Sequence, residues 1–175
     1  NLRPDLEILS LRGNVDTRLR KMKEGEYDAI VLASAGLKRL GLSADRMQHF
    51  EAAVFVPAVG QGALGIECRG DDSDVLELLS RMEHRPTRVC VEAERGFLAG
   101  LDGGCQVPIA GHAEMLDDDR FILDGLVAEV DGSVILREQQ EGTAATARET
   151  GFALARHLLD EGGKDILDRL YAENR

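Results

Sequence analysis

The dipeptide Asp131-Gly132 joins two segments of strand-like pattern, Arg120 to Val130 and Ser133 to Glu141, and nothing else narrows the possible folds as much. An Asp-Gly pair between two such segments favours a tight two-residue reversal whose twist matches that of the flanking strands, so the two must run antiparallel. A third strand candidate, Val107 to Leu116, precedes them. Helical patterns lie on either side. From Thr87, a candidate cap, Cys90, Ala93, Phe97 and Leu101 recur at helical spacing until Gly103-Gly104. Beyond the strands, Ala144 to Asp160 carries an apolar face of Phe152, Ala155, Leu158 and Leu159. Gly162-Gly163 breaks that helix, and Asp165 to Tyr171 allows one more short one. The C-terminal half therefore predicts αβββα, an α+β domain with a three-stranded antiparallel sheet.

The N-terminal half follows a different pattern. Leu6 to Leu11 and the nearly continuous apolar run Tyr27 to Ala33 predict two strands, of which the second resembles a strand buried in a parallel sheet. Each leads into a helix, Val15 to about Glu24 behind the candidate cap Asn14, and Leu37 to Leu42 behind Ser34-Ala35-Gly36. Ala53 to Val56 and Ala63 to Cys68 are further strand candidates, and Asp72 to Met82 a further helix. Strand–helix alternation predicts α/β, but two or three strands are too few for a sheet covered on both faces. The expectation is a chain that begins in mid-domain.

Bulk properties exclude several classes. A net charge of −11 argues against a general nucleic-acid binder. No apolar run reaches spanning length, so no membrane association is expected. Cys68, Cys90 and Cys105 have neither CxxC nor Cys/His ligand spacing. The expectation is no metal, no disulfide framework and a cytoplasmic location.

Charge distribution points to a small anion. Residues 12–39 hold seven Lys/Arg against four acids, a local +3 that leaves −14 for the rest. In Ser10-Leu11-Arg12-Gly13-Asn14-Val15-Asp16-Thr17-Arg18 a strand end, a glycine and a helix start follow one another. Helix N-terminal amides attract carboxylate or phosphate, and Arg12 and Arg18 can both reach an anion there with forked geometry. At the next strand end, Ala33-Ser34-Ala35-Gly36 leaves room for a ligand and Arg39 adds charge. Arg20, Lys21 and Lys23 read as a solvated helix face. His49, His84, His112 and His157 lack a partner at triad spacing, while Cys68 and Cys90 read as core residues. Cys105 differs, because flanking glycines remove the side chains that would shield its thiol.

Taken in order, Leu11-Arg12-Gly13-Asn14-Val15-Asp16-Thr17-Arg18, Ala35-Gly36-Leu37-Lys38-Arg39-Leu40-Gly41, Pro57-Ala58-Val59-Gly60-Gln61-Gly62-Ala63-Leu64, Glu92-Ala93-Glu94-Arg95 and Gly103-Gly104-Cys105-Gln106-Val107-Pro108 resemble the porphobilinogen deaminase (hydroxymethylbilane synthase) family across essentially the whole chain. The resemblance implies a transferase of tetrapyrrole (heme) biosynthesis. It condenses porphobilinogen stepwise into the linear tetrapyrrole hydroxymethylbilane, with release of ammonia, on a dipyrromethane cofactor thioether-linked to one cysteine, which Cys105 matches. It further implies that Arg12, Arg18 and Arg39 bind pyrrole carboxylates, and that Gly13, Asn14, Ala33 and Gln61 line the cofactor and substrate cleft. The implied fold is a partial periplasmic-binding-protein-like α/β domain (1–58), a hinge and segment returning to the first α/β domain (59–82), and the α+β domain carrying the cysteine (83–175). The implied partners are porphobilinogen, the growing polypyrrole and the N-terminal domain of the same, monomeric enzyme. The family's catalytic aspartate belongs to that N-terminal region, so no catalytic residue is assigned in this chain, and the chain alone is expected to be inactive. A non-enzymatic carboxylate-binding module using the same arginines is the alternative, and a thiol redox protein using Cys105 a third, weaker one.

Overall fold

The computed structural model describes residues 3–43, 46–102 and 108–173. The chain divides into two units, Asn1–Phe50 and Glu51–Arg175.

In the second unit the predicted α+β architecture is present. Helix α4 (Arg85–Gly100) leads to strands β1 (Ile109–Met115), β2 (Arg120–Ala128) and β3 (Ile135–Thr143), then α5 (Ala147–Leu158) and α6 (Lys164–Glu173). The sheet is antiparallel in the order β1-β2-β3, with His112 opposite Asp124 and Asp124 opposite Gln139. Along β2, alternation sends Phe121, Leu123 and Val127 into a core shared with Ala93, Phe97 and Leu101 and with Leu154, Ala155 and Leu158 of α5. Cys90 packs at the margin of that core. Helix α4 starts earlier than the Thr87 cap suggests. Its N-cap is His84, and Pro86 lies in the first turn, where a missing N–H costs nothing.

Close approach of α4 and α5 depends on two glycines that periodicity did not single out. A Cβ at Gly151 would lie 2.1 Å from the Ala93 carbonyl oxygen, and one at Gly96 would lie 2.3 Å from that of Arg148. Backbone therefore meets backbone at the crossing.

The hairpin differs in one detail from expectation. Ala128 and Ile135 are the last paired residues, and Glu129 N–H donates to Val134 O at 2.9 Å. The reversal is thus a four-residue loop, Val130 to Ser133, rather than a two-residue turn. Gly132 supplies the left-handed residue (φ 69°) and its N–H donates to Glu129 O, while Asp131 accepts from Ser133 N–H.

The other half of the chain has the expected helices but none of the expected strands among the described residues. It holds α1 (Val15–Lys23) and α2 (Ser34–Leu40) in the first unit and α3 (Ser73–Ser80) in the second, close to the predicted helices. The predicted strands Leu6–Leu11, Tyr27–Ala33, Ala53–Val56 and Ala63–Cys68 are not strands: the first, second and fourth lack regular structure and the third is a turn. The physical reason is the missing ladder. None of these segments pairs with a neighbouring strand among the described residues, and several of their apolar side chains stay in solvent, Ile8 being 87% and Leu64 73% exposed.

Candidate functional site

In the first unit the basic island is organised by local bonds. Asn14 caps α1, its Oδ1 accepting from the Thr17 N–H at 2.9 Å. Gly13 adopts φ +123°, and a Cβ there would lie 2.9 Å from Thr17 Cγ2, so no other residue fits without strain. Arg18 Nε donates to Gly13 O at 2.8 Å, which folds the guanidinium back over the loop. The start of α2 lies near: a Cβ on Gly36 would stand 3.8 Å from Val15 Cγ2. Ala33 occupies the N-cap position of α2 without a side-chain cap, and Arg39 lies in that helix's last turn.

The basic side chains fall into two sets. Arg20 pairs with Glu24 at 2.5 Å and Lys21 with Glu26 at 3.8 Å, as expected for a solvated face. Arg12, Arg18 and Arg39 form no ion pair with any described residue. Lys23 and Lys38 likewise form none, so Arg12, Arg18 and Arg39 are among five basic side chains of residues 12–39 that lack an ion-pair partner among the described residues. Such a set fits a ligand rich in carboxylates, held by forked guanidinium contacts beside a glycine that lets it near the backbone.

In the second unit, Gln61 lies on an exposed segment whose preceding residues run along the free edge of β1. Pro57 O accepts from Gly111 N–H at 3.0 Å. Glu94 of α4, 6% exposed, completes the edge: Oε1 accepts from Ala113 N–H at 2.9 Å and Oε2 from Gly60 N–H at 2.7 Å. Burial raises the Glu94 carboxyl above its ordinary range, partly offset by these two amides and by His112, whose Nδ1 lies 3.8 Å away. Covering the edge in this way also blocks pairing with another chain. Glu94 was visible beforehand only inside a motif. A carboxylate amid an apolar helical stripe is the signal that could have singled it out.

The outer face of the sheet carries a second anchor. Asp124 accepts a forked pair from Arg137 (2.9 and 2.6 Å) and a third bond from Gln139 Nε2 (2.9 Å), while Arg137 Nη2 also donates to Ala53 O at 2.7 Å. Desolvation pushes the Asp124 carboxyl up, but the Arg137 and Gln139 hydrogen bonds outweigh it and the net shift is down.

The thiols differ. Cys68 and Cys90 are free and half-buried, and burial followed by the charges of Glu94 and Glu114 pushes the Cys90 thiol up, away from the reactive thiolate. Cys105 lies outside the described residues. Ser34 Oγ and His49 Nδ1 approach to 3.2 Å, both exposed. Among the described residues no cluster could hold a metal ion, and no helix is long and apolar enough to cross a membrane.

Comparison with known proteins bears directly on this arrangement. A family model described as "Porphobilinogen deaminase, dipyromethane cofactor binding domain" matches residues 1–77, and "Porphobilinogen deaminase, C-terminal domain" matches residues 88–160. The chain belongs to the porphobilinogen deaminase family. Curated relatives of that name agree. That of Nitratidesulfovibrio vulgaris (strain DP4) is 61% identical over 171 residues, covering 98% of this chain and 54% of the relative. That of Lawsonia intracellularis is 54% identical over 170 residues (97% and 55%), and that of Bacillus pumilus 51% over 169 (96% and 54%). The chain thus spans about half the length of the curated relatives it matches. The cofactor-domain match takes in Arg12, Gly13, Asn14, Arg18, Ala33, Arg39 and Gln61, so the unsatisfied arginines fall within the region the family uses for dipyrromethane.

Proposed function

We propose that this chain forms part of a porphobilinogen deaminase (hydroxymethylbilane synthase), a transferase that condenses porphobilinogen head to tail into hydroxymethylbilane with loss of ammonia. The observation that carries this is the set Arg12, Arg18 and Arg39, free of carboxylate partners among the described residues, inside the cofactor-domain match. Dipyrromethane, bound through Cys105, supplies the pyrrole end to which each new unit is added. The chain's own residues bind and orient. Arg12, Arg18 and Arg39 neutralise acetate and propionate groups without exchanging protons, since a guanidinium stays charged throughout the working pH range. Gly13 and Ala33 leave room for the rings, and Gln61, in the hinge segment, is a further residue proposed to meet the cofactor.

Residues 1–58 read as part of a periplasmic-binding-like α/β domain, 59–82 as the segment returning to the first domain, and 83–175 as the cysteine-bearing domain. In this arrangement the unpaired apolar segments become strands when the rest of the enzyme supplies neighbours. The partner they need is the N-terminal domain, which also brings the catalytic aspartate, and the assembled enzyme is a cytoplasmic monomer.

Intact mass and peptide mapping of the full-length enzyme, with Ehrlich's reagent for pyrroles, test the proposal. The expected result is two linked pyrroles on Cys105 and hydroxymethylbilane made from porphobilinogen. An unmodified Cys105 with no product would overturn it, and reversible binding of pyrrole carboxylates without any adduct would favour a simple binding module.

A further inference from the structure

Glu94 is a buried carboxylate with His112 Nδ1 3.8 Å from Oε1, and its hydrogen bonds among the described residues go to backbone, each oxygen taking an N–H from a different segment. One is Gly60, which directly precedes Gln61, and the other is Ala113 of β1. Helix α4 and strand β1 are the two elements on either side of Cys105 in the chain. The same contact zone includes the Gly111 N–H bond to Pro57 O, and Val59 Cγ2 would stand 3.2 Å from a Cβ on Gly111.

Burying a carboxylate is costly, and an apolar residue would fill the same space more cheaply. What the carboxylate adds is two acceptors fixed at one spacing, which sets the hinge segment against β1 in one register. Neutral glutamine cannot do this. It offers one acceptor oxygen, and its NH₂ would face a second N–H donor. Aspartate keeps both acceptors but is one methylene short.

We propose that Glu94 is a positioning residue for the cleft: its carboxylate locks the Pro57–Gln61 segment to α4 and β1, and so fixes Gln61 relative to the two elements that flank Cys105. This rests on the deaminase function proposed above. Displacement of a positioning group by about an ångström can cost on the order of 100-fold in rate.

The test compares Glu94→Gln, Glu94→Asp and the core variant Leu154→Ala in the full-length enzyme, scoring turnover per pyrrole-loaded molecule, KM for porphobilinogen and melting temperature. Glu94→Gln should lose about 10-fold or more of its turnover per loaded molecule with KM changed far less. Glu94→Asp should fall between it and the wild type, and gives the reading if the Gln variant fails to fold. Leu154→Ala, destabilised through a core cavity but leaving both Glu94 hydrogen bonds in place, should keep turnover per loaded molecule within about twofold. Wild-type turnover in both Glu94 variants, or an equal loss in Leu154→Ala, would overturn the role of Glu94 alone. A wild-type enzyme that makes no hydroxymethylbilane would instead overturn the functional proposal on which that role rests.

Discussion

Segments Leu6–Leu11 and Arg120–Ala128 are both rich in residues that favour strands, yet they end in opposite states. In the second, Phe121, Leu123 and Val127 are fully buried, with β1 on one side and β3 on the other. In the first, Ile8 stands in water and no strand pairs with it among the described residues. A hairpin brings its own partner, because the second strand follows the first within a few residues. A parallel strand depends on one far away along the chain. Hydrophobic pattern thus specifies a strand only where a ladder is available. The loop proposed as an anion site in the first unit keeps its shape because the Asn14 cap, the Gly13 turn and the Arg18 bond to Gly13 are all local.

The sharpest way to break this contrast is at the α4–α5 crossing. Gly151→Ala places a methyl against the Ala93 carbonyl, where only backbone can yield. The expected cost is about 3 kcal/mol or more, lowering the melting temperature by roughly 10 °C. Helices α1 and α2, which belong to the first unit, should be unaffected. Residue-resolved hydrogen exchange would read both at once. Simultaneous loss of the two units would show that the first depends on the second.

Removal of Asp124 comes next. Asp124→Ala leaves the Arg137 cation facing an apolar gap, and because the Arg137 side chain is 32% exposed the cost falls to about 1–3 kcal/mol. The pH dependence has a definite sign. With its folded pKa below the ordinary 3.8, Asp124 contributes stability above that value and loses it as pH falls toward the folded pKa. Asp124→Asn should therefore flatten the acid limb of a melting-temperature profile below about pH 4. An unchanged limb would show that the Arg137 bonds do not anchor the sheet.

At the site, Arg18→Lys keeps the charge and removes both the fork and the Nε bond to Gly13 O. Binding of pyrrole carboxylates by the full-length enzyme should weaken about 10-fold, or 1.4 kcal/mol, while Arg20→Lys, on the paired face, should change little. Equal effects would dissolve the division into satisfied and unsatisfied arginines.

These contrasts also explain what could be read from the chain. The helices and the antiparallel sheet were legible because their periodicities repeat and their partners lie nearby. The hairpin was legible as a reversal, but its length was not, since the same Asp-Gly pair serves a four-residue loop when the bond Glu129 N–H to Val134 O extends the ladder. Gly96 and Gly151 are not legible as a crossing in the sequence, because a glycine inside a helix only weakens the pattern. Arg12, Arg18 and Arg39 stand out in the sequence as candidates because they cluster around the glycine-containing helix starts at Gly13 and Gly36. Glu94 does not, because its two amide partners are far from it in sequence and only the fold brings them together.

The smallest expected effect is the most informative about the N-terminal half. Ile8 is 87% exposed, so Ile8→Ser in this chain removes almost no packing. Surface changes of this kind stay within about 0.5 kcal/mol, and the melting profile should not move. In the full-length enzyme the proposed strand would gain neighbours and the same side chain a core. Replacing a buried isoleucine by serine would then cost about 2–4 kcal/mol, lost transfer energy plus an unsatisfied hydroxyl. The difference between the two backgrounds measures how much of this half is built by contacts that 1–175 does not supply. If Ile8→Ser were equally harmless in both, the Leu6–Leu11 strand proposal would fail, and the extended segment would be a surface arm whose apolar residues face water in the whole enzyme as well.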